Sequence, residues 1–596
     1  MQVKRRLSRG DSDDGDRSET RSPRFPSPKR ARLASSVASR PPSYDAISTL
    51  PSELLARIFS FLSETTLLEL STVSRLFHRV ATDGHLWRAH YYRRFILPRA
   101  HLIPGFRRGS SAKNEVAPGW ASSITGMKGG RIGRKDKTEE SPGESVDWKK
   151  SYKLLHNWAR GRCDVEELHF HPQERFAPGK TVVKVVEGLT ITADSACGLL
   201  VWDLRTRAPI AQAKLESYQK RQVRPLSMAV YDEPLSQGQL GVAVGFEDGT
   251  FGVWSMDLES GELVELCRHD VEGYGGLEAV AYCHPYVLVA SKSGFITLWT
   301  FDHPSIQPQP SPGQQPSSQP REETPQTEGL SLNNVPADDK KRKTGTFAGP
   351  PRIPVLLRSL QSQSTRQPLT LSMRKVTALP SHTSSTIASI VYTLDTINGW
   401  CIAIQELDIH PNEFDPVPTI IDSRLAYTPP SSTRGSASSS PIRSSGSARQ
   451  LDNWGEDEVN DGPVGLCYSH PYLLATLPDN TLLLHTCKTK PHSLSISPGT
   501  RLWGHTSGIS DAEITTRGKA VSVSARGDEI RVWELEGRIG GSVEVRPRQQ
   551  EQDDSALIKM PALDFKKNKV GFDDEMVIVL QEGHDGRESL MVYDFT

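Results

Sequence analysis

The chain has 596 residues, enough for several domains, although one large all-β domain could occupy much of it. Lys plus Arg equals Asp plus Glu at 71 each, so we expect no net field that attracts nucleic acid or anionic lipid. No apolar run approaches the ~18 residues that span a bilayer, and MQVKRRLSRGDSDD lacks the apolar centre of a signal peptide. We therefore expect a soluble nuclear or cytoplasmic chain, with no nucleic-acid or membrane partner.

Residues 1–46 are rich in Ser, Arg, Asp and Pro and have almost no aliphatic periodicity. Such a segment buries too little apolar surface to offset the entropy of ordering, so we predict that it is disordered. Its two basic clusters, at residues 4–6 and 29–32, are typical of nuclear-import signals and equally of a solvated basic tail.

Residues 47–95 show the first helical periodicity. Pro51 suits a helix start, where its missing N–H is not needed. Five apolar residues then recur as one predicted stripe, and they are Leu54, Leu55, Ile58, Phe59 and Leu62. Thr65 or Thr66 is the expected cap of a second apolar run, and Asp83-Gly84 is expected to break the apolar face further on. The pattern predicts three short helices.

The same segment resembles an F-box. LPSELLARIFSFL, followed by LSTVSRLFHRVATDGHLWR, matches that family from its opening Leu-Pro to its closing Leu-Trp-Arg. The resemblance implies that Trp87 packs the trailing helix and that six residues bind a Skp-type adaptor, namely Leu50, Pro51, Leu54, Leu55, Ile58 and Leu62. The alternative is a small helical core with no partner. Three short helices bury little on their own, which favours a partner that covers part of the stripe.

Residues 96–147 are rich in Gly, Ser and charge and predict an irregular linker. In residues 148–162, four large side chains then recur at helical spacings, namely Trp148, Tyr152, Leu155 and Trp158. F-box proteins that carry WD repeats have a similar segment between their two modules. That resemblance implies a helical bracket that fixes one module relative to the other, whereas the alternative is a surface helix with stray aromatic residues.

Residues 163–596 contain a repeat of short β-rich segments. An apolar residue followed by a large side chain recurs at Val201-Trp202, Val253-Trp254, Leu298-Trp299, Ile404-Gln405, Leu484-His485, Val532-Trp533 and Val592-Tyr593. Two low-complexity tracts, 303–350 and 428–462, account for the longest spacings and are predicted to be disordered insertions. Without them, seven units of about 45 to 60 residues remain, which predicts an all-β propeller of seven four-stranded blades.

The repeat resembles WD repeats most closely in LWGHTSGISDAEITTRGKAVSVSARGDEIRVWEL, where Gly504-His505 and Trp533 match. Asp248 and Asp479 stand where that family places its turn aspartate. Other repeats depart from the pattern, and the fourth and fifth blades are the least regular. The last blade lacks an outer strand, and we expect residues 165–170 to supply it, because an unpaired sheet edge invites aggregation.

We find no catalytic pattern. A Walker-type Gly-x-x-x-x-Gly-Lys, a nucleophile elbow and a His-Glu-x-x-His pair are all missing from the sequence. His284-Pro285 and His470-Pro471 recur between predicted strands, which indicates turns rather than metal ligands. The seven cysteines include no Cys-x-x-Cys pair and are expected to be buried thiols. We therefore expect neither enzyme activity nor a cofactor or metal.

An F-box protein needs no active site of its own, because it acts by holding a substrate near a ubiquitin-charged enzyme. The resemblance implies the substrate-recognition subunit of a Skp–cullin–F-box ubiquitin ligase, with a protein substrate on a propeller face. Guanidinium groups suit phosphate, and candidates for a phosphorylated substrate are Arg205, Arg207, Arg221, Arg224 and Arg531. Their convergence is not visible in the sequence, so the substrate-binding residues stay unassigned.

Two other functions remain open at this point. The first is a WD-repeat scaffold whose F-box acts outside a ligase. The second is a propeller hydrolase or lyase, which would need carboxylates or histidines clustered at the central channel.

Overall fold

The computed structural model describes residue 47 and residues 49–98, 146–168, 181–215, 222–270, 275–301, 352–361, 366–378, 383–397, 399–410, 419–430, 462–490, 492–535, 541–548, 568–582 and 588–596. The tail 1–46 and the insertion 303–350, both predicted to be disordered, lie outside these ranges. Of the linker 96–147 and the insertion 428–462, the described part comprises residues 96–98, 146–147, 428–430 and 462.

Four α-helices and a π-helical turn form an N-terminal module. They are α1 (Ser52–Phe59), α2 (Glu64–Leu70), α3 (Arg75–Ala81), α4 (Gly84–Tyr91) and the turn Tyr92–Ile96. The prediction of three helices was wrong, because Asp83-Gly84 begins a helix instead of breaking one. The Asp83 carboxylate accepts a hydrogen bond from the His85 backbone N–H at 2.8 Å, which is the role of an N-cap.

Serine side chains cap the two preceding helices. Ser63 Oγ accepts a hydrogen bond from the Thr66 N–H at 3.3 Å, and Ser74 Oγ accepts one from the Phe77 N–H at 3.1 Å. The expected cap at Thr65 or Thr66 was therefore wrong. Ser63 has the extended backbone of a cap, whereas both threonines already lie within α2.

A fifth helix, α5 (Trp148–Arg160), precedes the β-domain. Asp147 caps its start by accepting hydrogen bonds from the Lys149 and Lys150 N–H groups at 3.1 and 3.0 Å. The helix ends at Gly161, whose φ of 65° is left-handed. A Cβ at this position would lie 2.0 Å from the Glu544 carbonyl oxygen, so only glycine lets the helix end meet the β-domain so closely.

Seven sheets, antiparallel except for one parallel strand pair in the last blade, surround a central channel, which confirms the predicted seven-bladed propeller. The strands of each blade are given from the channel outward. Blade 1 consists of β2 (Val182–Val186), β3 (Leu189–Asp194), β4 (Gly198–Asp203) and β5 (Ala208–Ala213), and blade 2 of β6 (Pro225–Tyr231), β7 (Gln239–Phe246), β8 (Phe251–Asp257) and β9 (Glu262–His269). Blade 3 consists of β10 (Leu277–Cys283), β11 (Tyr286–Ser291), β12 (Phe295–Thr300) and β13 (Val355–Gln361). A 3-10 helix, Glu233–Gln237, joins β6 to β7.

The remaining blades follow the same plan. Blade 4 consists of β14 (Arg366–Ala378), β15 (Thr383–Thr396), β16 (Gly399–His410) and β17 (Thr419–Tyr427), and blade 5 of β18 (Gly465–Ser469), β19 (Tyr472–Thr476), β20 (Leu482–Lys490) and an outer edge made of β21 (Ser493–Ile496) and β22 (Thr500–Leu502). Blade 6 consists of β23 (Ile509–Ile514), β24 (Lys519–Ser524), β25 (Ile530–Glu534) and β26 (Ser542–Glu544). Blade 7 consists of β28 (Lys569–Phe572), β29 (Met576–Glu582), β30 (Glu588–Asp594), β1 (Arg162–Leu168) and β27 (Arg546–Pro547).

Strand β1 closes blade 7, as predicted, but it begins at Arg162 instead of residue 165, and residues 169–170 of the predicted strand lie outside the described ranges. It pairs antiparallel with β30 in a register that runs from Asp164 opposite Asp594 to Leu168 opposite Leu590. Phe595, fully buried just after β30, stacks on Trp158 of α5 with ring centroids 3.9 Å apart. The two ends of the propeller sequence therefore meet in one blade.

The predicted repeat register is also confirmed. Each apolar–large pair lies in the third strand of its blade, including Ile404-Gln405 in β16 and Leu484-His485 in β20. Asp248 and Asp479 lie in turns between second and third strands, where each carboxylate accepts a hydrogen bond from a backbone N–H two residues later, at 3.0 and 3.2 Å.

Blade 6 contains the buried unit behind its WD-like sequence. Ser522 Oγ lies 2.6 Å from His505 Nε2 and accepts the Trp533 indole N–H at 2.7 Å. All three side chains are buried. A Cβ at Gly504 would lie 2.9 Å from the indole ring, so the glycine leaves room for it.

Blade 5 departs from that pattern because His485 replaces the indole. Its Nδ1 lies 2.9 Å from the Ser497 carbonyl oxygen, which belongs to the segment between β21 and β22. A Cβ at Gly499 in this segment would lie 2.7 Å from the Leu483 side chain. The outer edge of this blade therefore consists of two short strands, β21 and β22, with Ser497 between them.

Two buried ion pairs lie within blade 4 and are hydrogen-bonded to blade 5. Glu406 of β16 is fully buried and accepts a hydrogen bond from Arg374 Nη2 of β14 at 2.8 Å, while the Thr489 hydroxyl of β20 lies 3.2 Å away. Nearby, Arg424 of β17 donates to Asp408 of β16 at 2.5 Å and to the Lys490 carbonyl oxygen of β20 at 2.7 Å. A buried charge is tolerated only when it is paired, and here each pair also holds a residue of the neighbouring blade.

None of the helices within the described ranges combines the length and the apolar character needed to cross a bilayer.

We expect deletion of residues 595–596 to lower the unfolding temperature of the whole propeller, because the Phe595 ring and its stacking on Trp158 are lost. Loss of a buried phenylalanine side chain costs about 3–5 kcal/mol. Calorimetry of the full chain measures the change, with Thr596→Ala as the control that keeps Phe595. An unchanged transition would show that the closing seam does not limit stability.

Ser522→Ala should destabilise the propeller by about 1–3 kcal/mol, since the Trp533 indole N–H loses its acceptor in a buried site. Denaturant titration gives the free energy of unfolding. Ser495→Ala, at an exposed position of β21, is the matched control and should have almost no effect. Equal stability of the two variants would contradict a structural role for the buried unit.

Candidate functional site

Helix α1 has two apolar faces. Leu55 and Phe59 point into the core of the N-terminal module and are 0% and 3% exposed. Leu54, Ile58 and Phe61, by contrast, are 53%, 47% and 74% exposed. Leu54 and Ile58 are four residues apart and share one side of α1, and Phe61 follows in the turn after the helix. We call these three exposed side chains the apolar row.

Two further apolar side chains are exposed on the same module. Leu68 of α2 and Val73, between α2 and α3, are also open to solvent. The Arg57 guanidinium lies over the Phe61 ring, 4.9 Å from its centroid. Exposed apolar groups gathered on one small module are typical of a surface that a partner covers.

The structure divides the six predicted adaptor-binding residues into two groups. Pro51, Leu54 and Ile58 are exposed, whereas Leu55 belongs to the core. Leu50 and Leu62 are half-buried and pack against that core. The predicted single stripe is therefore two faces of one helix. Sequence reasoning missed other exposed apolar residues of the module, among them Phe61, Leu68 and Val73, and helical spacing from Leu54 does not reach Phe61 because α1 ends at Phe59.

Helix α5 contributes to two hydrophobic cores at once. Trp148, Tyr152 and Leu155 pack with the N-terminal module, and the rings of Tyr152 and Trp87 lie 5.3 Å apart. Leu154 and Trp158 pack with blades 6 and 7 of the propeller. The predicted bracket helix thus lies between the two modules and contacts both.

Polar contacts fasten the end of α5 to the propeller. The Asn157 amide donates to the Phe595 carbonyl oxygen at 2.7 Å, and the Trp158 indole N–H donates to the Asp574 carbonyl oxygen at 2.8 Å. Asn157 is buried, so its hydrogen bond is costly to lose.

A second set of polar contacts fastens α5 to the N-terminal module. Arg94 Nη1 donates to the Tyr152 hydroxyl at 2.6 Å and to Glu64 Oε1 at 3.2 Å, and the Tyr152 hydroxyl donates to Glu64 Oε1 at 3.1 Å. A backbone hydrogen bond, with help from Tyr152 and Arg94, holds the pKa of Glu64 below its usual value. Burial raises the pKa of Tyr152. At neutral pH the carboxylate is therefore ionised and the phenol protonated, which is the state that forms these bonds.

The propeller channel encloses a cavity of about 2570 Å³, lined by the first strand of every blade and by one side of α5. Lys184 and Glu513 form an ion pair in it, with Nζ and Oε1 2.7 Å apart, and Glu513 raises the pKa of Lys184. At the α5 side, Asp573 accepts hydrogen bonds from the Gly188, Glu575 and Met576 N–H groups. Both acidic groups therefore have structural partners.

The predicted phosphate-binding arginines do not converge. Arg205 and Arg207, in the turn after β4, pair with Glu575 and Glu166, while Arg531 binds Glu529 at 2.5 Å within blade 6. Arg224 lines the channel mouth away from α5. Arg221 lies outside the described residues. The structure therefore assigns no shared anion site to this set.

The remaining candidate ligands have structural environments. His284 and His470 lie in turns between first and second strands, as predicted. All seven cysteines are free thiols, five of them buried, and burial raises the pKa of Cys163 and Cys467 to about 12. Among the described residues, no three His, Cys, Asp or Glu side chains form a group that could hold a metal ion.

Two family models match the chain. One is described as "F-box-like" and covers residues 47–93, and the other is described as "F-box protein pof12 beta-propeller" and covers residues 163–596. The chain belongs to this F-box propeller family. Its modules are an F-box and a β-propeller, an architecture that is generally that of a non-catalytic adaptor or receptor. F-boxes in general bind Skp-type adaptors.

Solved structures with a similar shape include "Structure of U3-55K", at 9% identity and a TM-score of 0.35 over 72% of this chain and 98% of that one. Raptor from Chaetomium thermophilum has 11% identity and a TM-score of 0.38, over 91% of this chain and 42% of that one. BamB from Moraxella catarrhalis has 9% identity and a TM-score of 0.30, over 72% and 100%. No curated protein matches this chain in sequence.

Gly161→Ala should destabilise the junction between α5 and the propeller, because the new Cβ meets the Glu544 carbonyl oxygen. Gly188→Ala is a matched control, since Gly188 also has a positive φ but no atom within 4 Å of its Cβ position. Both variants carry the left-handed backbone penalty of about 1 kcal/mol, and Gly161→Ala should lose clearly more. Thermal unfolding of both proteins measures the difference. Equal losses would mean that the helix end and the propeller are not in tight contact.

Proposed function

We propose that this chain is the substrate-recognition subunit of a Skp–cullin–F-box ubiquitin ligase. The F-box would bind the Skp-type adaptor, which links it to a cullin, and the propeller would bind the protein substrate. The observation that carries the proposal is the exposed apolar row of Leu54, Ile58 and Phe61 on the F-box. The chain itself would supply no catalytic group and would act by proximity.

The apolar row is suited to a protein partner. Exposed leucine and isoleucine side chains on α1 and a phenylalanine in the turn after it offer an anchor, and burying such side chains contributes about 1.5–3 kcal/mol each. Leu68 and Val73 would extend this contact. Leu55 would act indirectly, because it keeps α1 packed in the F-box core.

The two faces of the propeller differ in what they offer a substrate. Strand β1 begins directly after α5 and pairs with the end of β30, so the turns after third strands lie on the F-box side. Val146, just before α5, and Lys150 of α5 line the channel mouth on that side. Arg224 and Lys292 line the opposite mouth, which α5 leaves open. We therefore place the substrate on the face that points away from the F-box.

The test is a pull-down of the full chain that probes for a Skp-type adaptor and a cullin. Leu54→Ser with Ile58→Ser should weaken adaptor binding at least about 100-fold, from the loss of two anchors at roughly 1.5 kcal/mol or more each. Both residues are about half exposed, so the unfolding temperature should stay close to wild type. Leu55 is left unchanged, since a substitution there would unfold the F-box.

Ile353→Ser is the control, because it removes an equally large exposed side chain from the propeller. It should leave adaptor binding intact. Capture of the adaptor without any cullin would favour a scaffold that acts outside a ligase. Failure of the folded wild-type chain to bind an adaptor would overturn the proposal.

A further inference from the structure

The junction between the F-box and α5 combines aromatic packing with one network of directional bonds. The Tyr152 ring lies 5.3 Å from the Trp87 ring and 5.4 Å from the Phe95 ring, in edge-on arrangements. The Arg94 guanidinium lies 5.5 Å from the centroid of the Tyr152 ring. Apolar burial itself has no preferred direction, and the edge-on ring geometry adds only about 0.5–1.5 kcal/mol for each aromatic pair.

Hydrogen bonds among Glu64, Arg94 and Tyr152 make the junction depend more strongly on orientation than packing does. The three residues come from α2, from the π-helical turn and from α5, and each bonds to the other two. Hydrogen bonds weaken steeply when their angle or length changes, and bonds that involve ionised groups are stronger than neutral ones. Any rotation of the F-box about α5 would break at least two of these bonds.

The other half of α5 leaves little freedom to offset such a rotation. Trp158 stacks on Phe595 with the two rings only 7° from parallel, and the buried Asn157 amide holds the Phe595 carbonyl oxygen. The orientation of α5 on the propeller is therefore fixed. The orientation of the F-box relative to the propeller then depends on how the F-box is held on α5.

We infer that Glu64, Arg94 and Tyr152 are positioning residues that hold the F-box in one orientation on the propeller. If the proposed ligase function holds, this network sets the distance and angle at which a propeller-bound substrate faces the ubiquitin-charged enzyme. The inference about orientation itself does not depend on that function, and its test needs no adaptor.

The experiment measures the distance between two spin labels in the full chain. Glu69→Cys in α2 and Glu262→Cys in β9 place the labels on exposed positions of the F-box and the propeller. The half-buried Cys197 and Cys467 are replaced by serine and alanine. The other five native thiols are buried and therefore shielded from the label: Cys163, Cys267, Cys283, Cys401 and Cys487.

In the labelled protein with no further change, we expect one narrow distribution of distances between the two labels. In Tyr152→Phe, which keeps the ring packing and removes only the hydroxyl, we expect this distribution to broaden. Glu64→Gln should broaden the distance in the same way. Tyr92→Phe is the control, because Tyr92 packs on Trp148 and its hydroxyl has no hydrogen bond to any residue that the structure describes. It should keep the narrow distance.

The unfolding temperature and the affinity for the Skp-type adaptor are measured on the same variants. Both should stay at wild-type values in Tyr152→Phe, since neither the cores nor the exposed row of α1 is altered. A narrow, unshifted distance in both Tyr152→Phe and Glu64→Gln would overturn the inference. A broad distance accompanied by a large fall in unfolding temperature would also overturn it, because the network would then be a general stabiliser. Failure of adaptor binding in the wild type would count against the proposed function alone.

Discussion

Closure of blade 7 is the constraint on which the rest of this structure depends. A propeller is stable only as a ring, and the ring is completed here by β1, which precedes all other strands in sequence and pairs with β30, the last of them. The same segment continues backward into α5, and α5 carries the F-box. Trp158 and Phe595 stack where the β-domain closes, and they also hold the helix that carries the F-box. A mutation of either residue would therefore affect both the closure of the propeller and the attachment of the F-box.

The two irregular blades meet at a buried carboxylate. Blades 4 and 5 lack the buried indole found at the equivalent position of blade 6, and Glu406 of blade 4 is instead buried with Arg374 of the same blade and Thr489 of blade 5. An ionic contact such as Arg374–Glu406 adds little net stability, since desolvation offsets much of the attraction. The Thr489 hydroxyl reaches the carboxylate from the neighbouring blade, so Glu406 keeps both partners only when the two blades pack in this arrangement.

Most of the β-domain could be predicted from sequence because a repeat has a period. The apolar–large pairs gave the number of blades and the strand in which each pair lies, even at Gln405 and His485. The F-box surface was harder, since Leu54 and Leu55 are neighbours in sequence but lie on different faces of α1. Contacts between distant residues were beyond prediction. Nothing in the order of residues indicates that Glu64 meets Tyr152 or that Arg374 meets Glu406. The first pair forms only when α5 packs on the F-box, and the second only when the strands of blade 4 pair.

The pairing of β1 with β30 also has a mechanical side. A force that pulls the F-box away from the propeller passes through α5 into β1 at Arg162. There the chain is paired on both edges, with β30 from Asp164 to Leu168 and with β27 at Arg162 and Cys163. The F-box is thus anchored in the middle of a sheet and not in a surface loop.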